Sequence, residues 1–261
     1  MKKVAILVLA FALPLLAGRG FNGSTDKIQM SSGSLLLGAA HATISCAFSI
    51  ASLPGASEVD VCSNGGQEGG PSHQGPVIVT VGSNANSGHN NEIGISWWQN
   101  QPLDHNVDLY CGTTILANTW YTVVGTFASS GNAALYVNGV QCATTTTANT
   151  LTVQNGSDNP DFCVGGYASG GNPGTCGTVN FGGIVANFYV WTSTFSAGQA
   201  AALSLVCPVG NAARRMGFPA PQRAWPLAGA SGSSIEPDLS GNGFNGILTG
   251  TTVANQPPCT P

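Results

Sequence analysis

Two neighbouring stretches decide the fold: "WYTVVGTF", residues 120–127, and "AALYVNGVQCATTTT", residues 133–147. Both are rich in Val, Thr and aromatic residues, which fit the pleated surface of a strand. Asn138 and Gly139 interrupt the second stretch. This pair is typical of a type I′ turn, because both of its central positions need a positive φ. The stretches therefore predict antiparallel strands joined by a tight hairpin.

The same pattern recurs along the chain. In "ATISCAFSIA", residues 42–51, the apolar side chains of Ile44, Cys46, Phe48 and Ile50 fall on one face. Short strands separated by Gly- and Asn-rich turns predict an all-β fold, a two-sheet antiparallel β-sandwich. One short helix is predicted in the C-terminal half, over "SAGQAAALSLV" at residues 196–206, where Ser196 and Gln199 have capping-box spacing.

The charge composition of the chain excludes one class of binding partner. The chain has 261 residues, of which only 7% are charged, and a formal charge of −4. It contains no basic cluster, so a nucleic acid is excluded as a partner, since phosphate binding needs a positive surface.

The length allows one large β domain or two small ones. Because no linker-like stretch interrupts the chain, we expect residues 19–261 to form a single domain.

The first residues resemble an export signal. Lys2 and Lys3 precede an apolar run over residues 4–17, and small residues stand at positions 17 and 18, where the run ends. This pattern predicts a signal peptide over residues 1–18, with a buried strand or an anchor helix as the alternative. The run is too short for a comfortable membrane span. We therefore expect a secreted, extracellular protein that is not attached to a membrane after signal removal.

The eight cysteines agree with export, since an even count in a secreted chain suggests up to four disulfides. Their pairing cannot be read from the sequence, although Cys163 and Cys176, which flank a Gly-rich loop, are the first pair we expect. No Cys-x-x-Cys pair is present, so a zinc site is not expected.

Five stretches together resemble one family. They are "FNGSTDKI" (21–28), "NTWYTVVGTF" (118–127), "ALYVNGVQ" (134–141), "GGIVANFYVWTSTFSAGQAAAL" (182–203) and "WPLAGASGSSIEPDLSGNGFNGILTG" (225–250). They are similar to the laminin G-like (LamG) members of the concanavalin A-like lectin/glucanase superfamily. The resemblance implies a jelly roll of two packed antiparallel sheets. It also places Trp120, Trp191 and Trp225 in the core.

The order of these stretches departs from many relatives. There, the counterpart of the "DLSGNGFNG" segment, residues 238–246 here, comes first in the chain. A permuted order is tolerated when the termini lie close together. It implies that the strand with Trp225 and Leu227 lies beside the strand near Phe21, and that the N-terminal strand lies close to the C-terminal segment.

Calcium is the cofactor that the resemblance suggests, because laminin G-like domains often bind it. Asp238 and Asn242 in "DLSGNGFNG" offer oxygen ligands, and the permuted order would make Asp26 a neighbour. The predicted metal ligands are Asp238, Asn242 and Asp26, which Asn245 and Glu236 could join. The alternative is that the segment is a structural turn.

The superfamily also contains glycoside hydrolases with a Glu-x-Asp-x-Glu strand, which supplies the paired carboxylates of retaining hydrolysis. In "SEVDVCS", residues 57–63, Glu58 and Asp60 are followed by Cys62, so the acid/base position is missing. We interpret this segment as an exposed strand with two solvated carboxylates. His89 and His105 lack a catalytic motif.

The best ligand-binding candidate is "WWQNQPLDHN", residues 97–106. Sugar recognition combines aromatic faces with polar side chains, and neighbouring Trp97 and Trp98 should point to opposite faces of a strand. The predicted ligand-binding residues are Trp97, Trp98, Gln99, Asn100, Asp104 and His105. The alternative is that a Trp covers a sheet edge.

These features favour a secreted, non-catalytic, lectin-like binding module for a glycan or a protein surface, which calcium could assist. A structural or adhesive component of a surface or virion, forming oligomers, is the first alternative. A glycoside hydrolase of the same superfamily is the second.

Overall fold

The computed structural model describes residues 18–30, 41–55, 57–64, 77–82, 88–99, 105–128, 130–146, 162–169, 175–205 and 217–254. These residues form eighteen strands and one helix. In chain order the elements are β1 (Gly18–Asn22), β2 (Lys27–Met30), β3 (His41–Ile50), β4 (Val59–Asn64), β5 (Val77–Val81), β6 (Glu92–Gln99), β7 (His105–Thr114), β8 (Trp120–Ala128), β9 (Asn132–Val137), β10 (Val140–Thr146), β11 (Phe162–Val164), β12 (Gly166–Ser169), β13 (Thr175–Val179), β14 (Gly182–Trp191), α1 (Ala197–Ser204), β15 (Arg223–Trp225), β16 (Ile235–Glu236), β17 (Gly246–Thr249) and β18 (Thr252–Ala254).

The strands form two antiparallel sheets of eight strands each. In the back sheet the order is β10-β9-β8-β3-β14-β1-β18, and β15 also pairs with β14. In the front sheet the order is β16-β17-β2-β11-β4-β5-β6-β7, while β12 and β13 form a separate hairpin. The predicted all-β, two-sheet sandwich is thereby confirmed.

The core lies between the sheets. The four side chains predicted to share one face of β3 are all buried in this core: Ile44, Cys46, Phe48 and Ile50. Phe162 of the front sheet packs against Phe188 and Trp225 of the back sheet, with ring centroids 5.5 and 5.7 Å apart. Trp191 is buried, but in a second apolar cluster between the back sheet and the helix α1. Trp120 is only half-buried, so the expectation that it lies in the core is wrong.

Local signals proved accurate at the hairpin and at the helix. Asn138 and Gly139 have φ of 48° and 84°, as the predicted type I′ turn requires. Ser196 caps α1 in a reciprocal capping box with Gln199, and the helix ends two residues before the predicted boundary. Ala200 and Leu203 bury the inner side of α1 against the outer face of the back sheet.

Both ends of the described chain lie in the back sheet. β1 pairs with β14 on one side and with β18 on the other, with Gly18 opposite Ala254. This confirms that the N-terminal strand lies beside the C-terminal segment. The strand that contains Trp225, β15, does not pair with β1. Both strands pair with the same edge of β14, β1 along its first half and β15 along its second half.

Two disulfides join separate elements. Cys163–Cys176, the predicted pair, ties β13 to β11 of the front sheet. Cys111–Cys142 connects β7 of the front sheet with β10 of the back sheet. Cys207 and Cys259 lie outside the described residues, as does the predicted signal segment up to residue 17. In the described part of the chain, the eight-residue helix α1 falls short of the length that a membrane span needs.

Candidate functional site on the outer face of the front sheet

Four residues stand opposite one another across β4, β5, β6 and β7. They form the cross-strand row: Asp60, Thr80, Gly94 and Tyr110. Their strand neighbours Val81, Ile93, Ile95 and Leu109 are buried in the core. Because side chains alternate along a strand, the row lies on the outer face of the front sheet.

The Tyr110 ring lies against Gly94. A Cβ placed at Gly94 would stand 2.5 Å from Tyr110 Cε1, so only glycine leaves room for the ring. His89 stacks on Tyr110 with centroids 4.2 Å apart and an interplanar angle of 7°. Glu92 holds the imidazole through a 2.9 Å contact between Oε2 and Nδ1, and also accepts a bond from Gly112 N at 3.0 Å. The result is a positioned aromatic stack on the sheet surface.

Polar groups surround this stack. The Thr80 Oγ1 atom is buried without a hydrogen-bond partner among the described residues, and lies 3.0 Å from the position of a Cβ at Gly94. In the next row along the strands, Ser96 stands opposite Asp108, which is exposed. The exposed Asp108 carboxylate can accept hydrogen bonds from the hydroxyls of a ligand.

The predicted aromatic patch continues the same two strands. Trp97, Trp98 and Gln99 belong to β6, where the backbone register sets Trp98 opposite Asn106, one row beyond Ser96 and Asp108. His105 begins β7 opposite Gln99. Asn100 and Asp104 lie outside the described residues. Ligand binding by this patch stays a prediction, and its backbone adjoins the surface built on Tyr110.

The glucanase-like segment differs from its sequence interpretation. Asp60 is buried rather than solvated, and Asn180 provides its hydrogen-bond partners: Asp60 N donates to Asn180 Oδ1 at 3.1 Å, and Asn180 Nδ2 donates to Asp60 Oδ2 at 3.4 Å. The same amide donates to Glu58 O at 3.2 Å. A β-bulge between Asp60 and Cys62 turns Cys62 into the core, so the third position of the segment is away from the outer face.

Asp238 organises its own loop. Its Oδ1 accepts from Ala224 N and Ser240 N at 3.0 and 2.9 Å, and its Oδ2 accepts from Ser240 Oγ and Phe244 N at 2.7 and 3.2 Å. The predicted ligand Asn242 donates from Nδ2 to Gln222 O at 2.8 Å. These bonds support the structural-turn alternative for "DLSGNGFNG".

Asp26 bonds within a different turn. Its carboxylate accepts from Asn22 N at 3.1 Å and from Thr25 Oγ1 at 3.2 Å, and it packs directly against Gly250. Over the described stretches, no group of three or more His, Cys, Asp or Glu side chains is placed to hold a metal ion. A calcium site built from Asp26, Asp238 and Asn242 stays a prediction.

A second surface lies on the outer face of the back sheet. A groove of about 410 Å³ runs across β3, β14, β1 and β18, and its polar lining consists of Asn22, Asp26, Ser49, Asn118 and Thr252. Its floor follows a row in which Ile184 stands opposite both Ser49 and Gly20, and Gly20 stands opposite Thr252. Phe21 is the aromatic residue of this lining, and it is only 6% exposed.

Comparison with known proteins agrees with this architecture. The family model Laminin_G_3, of the concanavalin A-like lectin/glucanases superfamily, matches residues 22–201. The chain belongs to this family. No curated protein matches the chain.

Several solved structures share this fold. A proposed carbohydrate-binding protein from Bacteroides ovatus has a TM-score of 0.64 and 18% identity, over 95% of this chain and 62% of its own length. The chain thus spans less than two thirds of that protein. The heptameric SAP-like pentraxin of Limulus polyphemus has a TM-score of 0.58 and 12% identity, over 94% of this chain and 97% of its own. The CBM40 of the Ruminococcus gnavus IT-sialidase has a TM-score of 0.53 and 16% identity, over 72% and 96%. At these identities the likeness shows the fold alone.

Sequence reasoning missed Tyr110, Thr80 and Gly94. One signal was present: Gly94 interrupts the strand "EIGISWW", and a glycine inside a strand often marks the close approach of another group. For His89 the sequence offers no motif that would predict its contact with Tyr110.

Proposed function

We propose that this chain is an exported, non-catalytic glycan-binding module, and that it binds through the outer face of the front sheet around the Tyr110–His89 stack. The observation that carries the proposal is the cross-strand row, in which Gly94 leaves the space that Tyr110 occupies. The two disulfides support export, since such bonds persist in oxidising compartments.

The chemistry of the surface suits a sugar. A pyranose ring presents a face of C–H groups and a rim of hydroxyls, so it needs an aromatic surface with polar groups beside it. Tyr110 and His89 provide the aromatic surface, and Asp108 provides an exposed carboxylate one row away. The outer face of the back sheet differs, because α1 covers its apolar part at Trp191.

The groove on the back sheet is the competing surface. Its polar lining could also bind hydroxyls, but its one aromatic residue, Phe21, is buried. A ring that is buried under the groove floor cannot stack on a sugar. The front-sheet surface is therefore favoured.

Two further observations support a non-catalytic glycan-binding role. Cys62, at the acid/base position of the glucanase pattern, is buried in the core. A structural neighbour, the Bacteroides ovatus protein, is named for carbohydrate binding. Because fold does not fix function, this likeness is an analogy. The proposal is therefore tested with variants of this chain's own residues.

The experiment is a glycan array followed by calorimetry on the best ligand. We expect Tyr110→Ala to weaken binding about ten-fold or more, which corresponds to roughly 1.4 kcal/mol. Val140→Ala, at a residue 66% exposed on β10, is the matched control and should bind as the unmodified protein does. Thr252→Ala tests the groove.

Three outcomes would count against the proposal. If Tyr110→Ala and the unmodified protein bind the glycan with equal affinity, the outer face of the front sheet is not the binding site. A loss confined to Thr252→Ala would move the site to the groove. No binding to any glycan, together with defined multimers in light scattering, would favour the structural or adhesive alternative.

A further inference from the structure

Two cysteines face each other across the core. Cys46 lies in β3 of the back sheet and Cys62 in β4 of the front sheet, and their Sγ atoms are 3.9 Å apart. Both are buried, at 0% and 2% exposure. Both are free thiols, and the Cys62 thiol donates to Cys46 Sγ.

The backbone is shaped so that this meeting occurs. Asp60 faces outward, and regular alternation would turn Cys62 to the same side. The β-bulge between Asp60 and Cys62 adds one residue to β4, so Cys62 faces inward opposite Val79. An isolated buried cysteine behaves as a small apolar residue, for which no such displacement is needed.

Neither a metal nor a catalytic role accounts for the pair. No cluster of metal-binding side chains occurs among the residues that the structure describes, and both cysteines belong to the apolar core between the sheets. Burial raises the pKa of the Cys62 thiol well above its ordinary range, and Cys46 raises it further. A buried, protonated thiol is a poor nucleophile.

We propose that Cys46 and Cys62 form a third disulfide in the exported protein, which joins the two sheets at the centre of the core. The oxidant is a protein disulfide of the thiol–disulfide exchange class. One cysteine thiolate attacks the oxidant's disulfide and releases a thiolate, and the second cysteine then attacks the resulting mixed disulfide and releases the other. Two protein thiols are oxidised, and one disulfide of the oxidant is reduced to two thiols.

The exchange takes place before the core closes, because a folded sandwich excludes the oxidant from sulfurs that are buried. In the unfolded chain both thiols are accessible and have ordinary acidity. The cross-link spans a short segment, since sixteen positions separate the two cysteines. The inference rests on the export part of the proposed function and is independent of glycan binding.

Peptide mapping of the full chain, secreted by an exporting host, tests the proposal. The protein is denatured with a maleimide and without reductant, then digested and analysed by mass spectrometry. Trypsin is unsuitable because no Lys or Arg lies between Lys27 and Arg214. Chymotrypsin and a glutamate-specific protease can cut after Phe48 and Glu58, between the two cysteines.

We expect a cross-linked peptide pair containing Cys46 and Cys62, about 2 Da lighter than the sum of the two thiol peptides. The Cys163–Cys176 and Cys111–Cys142 pairs are internal controls for complete oxidation. Maleimide on Cys46 and Cys62 while both controls are cross-linked would overturn the proposal, as would a link from either residue to Cys207 or Cys259.

A second measurement uses a variant. In Cys62→Ala, Cys46 should gain one maleimide label on denaturation, whereas the unmodified protein gains none at Cys46. If the variant is not secreted, the map of the unmodified protein still decides the question. If the peptide map and the labelling show free thiols while the protein still binds glycans, the proposed disulfide is wrong and the proposed glycan binding is unaffected.

Discussion

Arg19 and Glu236 form a buried ion pair between the two sheets, where the two ends of the described chain meet. Arg19 Nε and Nη2 both donate to Glu236 Oε2 at 3.0 Å, and each side chain is 1% exposed. Arg19 belongs to β1 of the back sheet and Glu236 to β16 of the front sheet. The Glu236 carboxylate also accepts from Ala228 N at 2.8 Å and from Gly229 N at 3.3 Å.

Removing the Glu236 carboxylate should be costly. Glu236→Ala leaves the Arg19 charge buried and unpaired, and we expect a loss of about 3–5 kcal/mol in the free energy of unfolding. Glu236→Gln should cost less, because its amide oxygen can still accept from Ala228 N or from Arg19. Urea denaturation measures both. Ser231→Ala, at an exposed position of the same segment, is the control, and equal stability of all three variants would contradict this account.

The Asp238 loop should depend on its carboxylate. Asp238→Ala removes the acceptor for the bonds from Ala224 N, Ser240 and Phe244 N, and we expect a loss of about 2–4 kcal/mol. Because protein groups already satisfy both oxygens, the loss should be the same in EDTA and in CaCl2, as measured by thermal unfolding.

The same measurement decides the calcium prediction. A cation that binds only the folded state raises stability by about 2.7 kcal/mol at a concentration of 100 Kd. A rise in Tm with CaCl2 that Asp238→Ala abolishes would establish a calcium site at this loop and would contradict a purely structural role.

The space above Gly94 should control ligand binding. In Gly94→Ala the new Cβ meets the Tyr110 ring, so the ring must move away from the sheet. We expect weaker glycan binding, by about ten-fold, although Tyr110 itself is unchanged. The matched control is Gly198→Ala in α1, where a Cβ meets nothing within 4 Å. This control should leave affinity unchanged, and a Gly94→Ala variant of full affinity would show that the ring position is irrelevant.

Stability should fall at alkaline pH in part through Tyr136. Burial raises the pKa of its hydroxyl above the ordinary value, so the folded state favours the neutral form. The contribution is fully present below the unfolded-state pKa of about 10, and it is lost as the pH rises through the higher pKa of the folded state.

Tyr136→Phe isolates this contribution. The variant loses the hydrogen bond from Tyr136 to Gln141 Oε1 at 3.0 Å, which lowers its stability at neutral pH. Above about pH 10, the unfolded-state pKa, its free energy of unfolding should decline less steeply than that of the unmodified protein, by up to about 1.4 kcal/mol per pH unit. Parallel urea denaturation curves over this range would rule out a role for Tyr136.

Several elements followed from the sequence because their causes are local. The type I′ turn needs only Asn138 and Gly139 in a row, and the start of α1 needs only Ser196 and Gln199 three residues apart. The alternation of apolar side chains along β3 was enough to predict which of its faces is turned toward the core. The order of the family-like stretches was enough to place β1 beside the C-terminal segment.

The candidate site depended on contacts that no local pattern specifies. Tyr110 reaches Gly94 through the register of two strands, and Asn180 reaches Asp60 from 120 residues away. A single bulge in β4 decided that Cys62 faces the core instead of the surface. The sequence by itself determined which segments become strands, turns and helix, because these preferences act over a few residues. Which side chains meet on the sheet surface was decided by register and packing between distant strands, where a shift of one residue reverses the face.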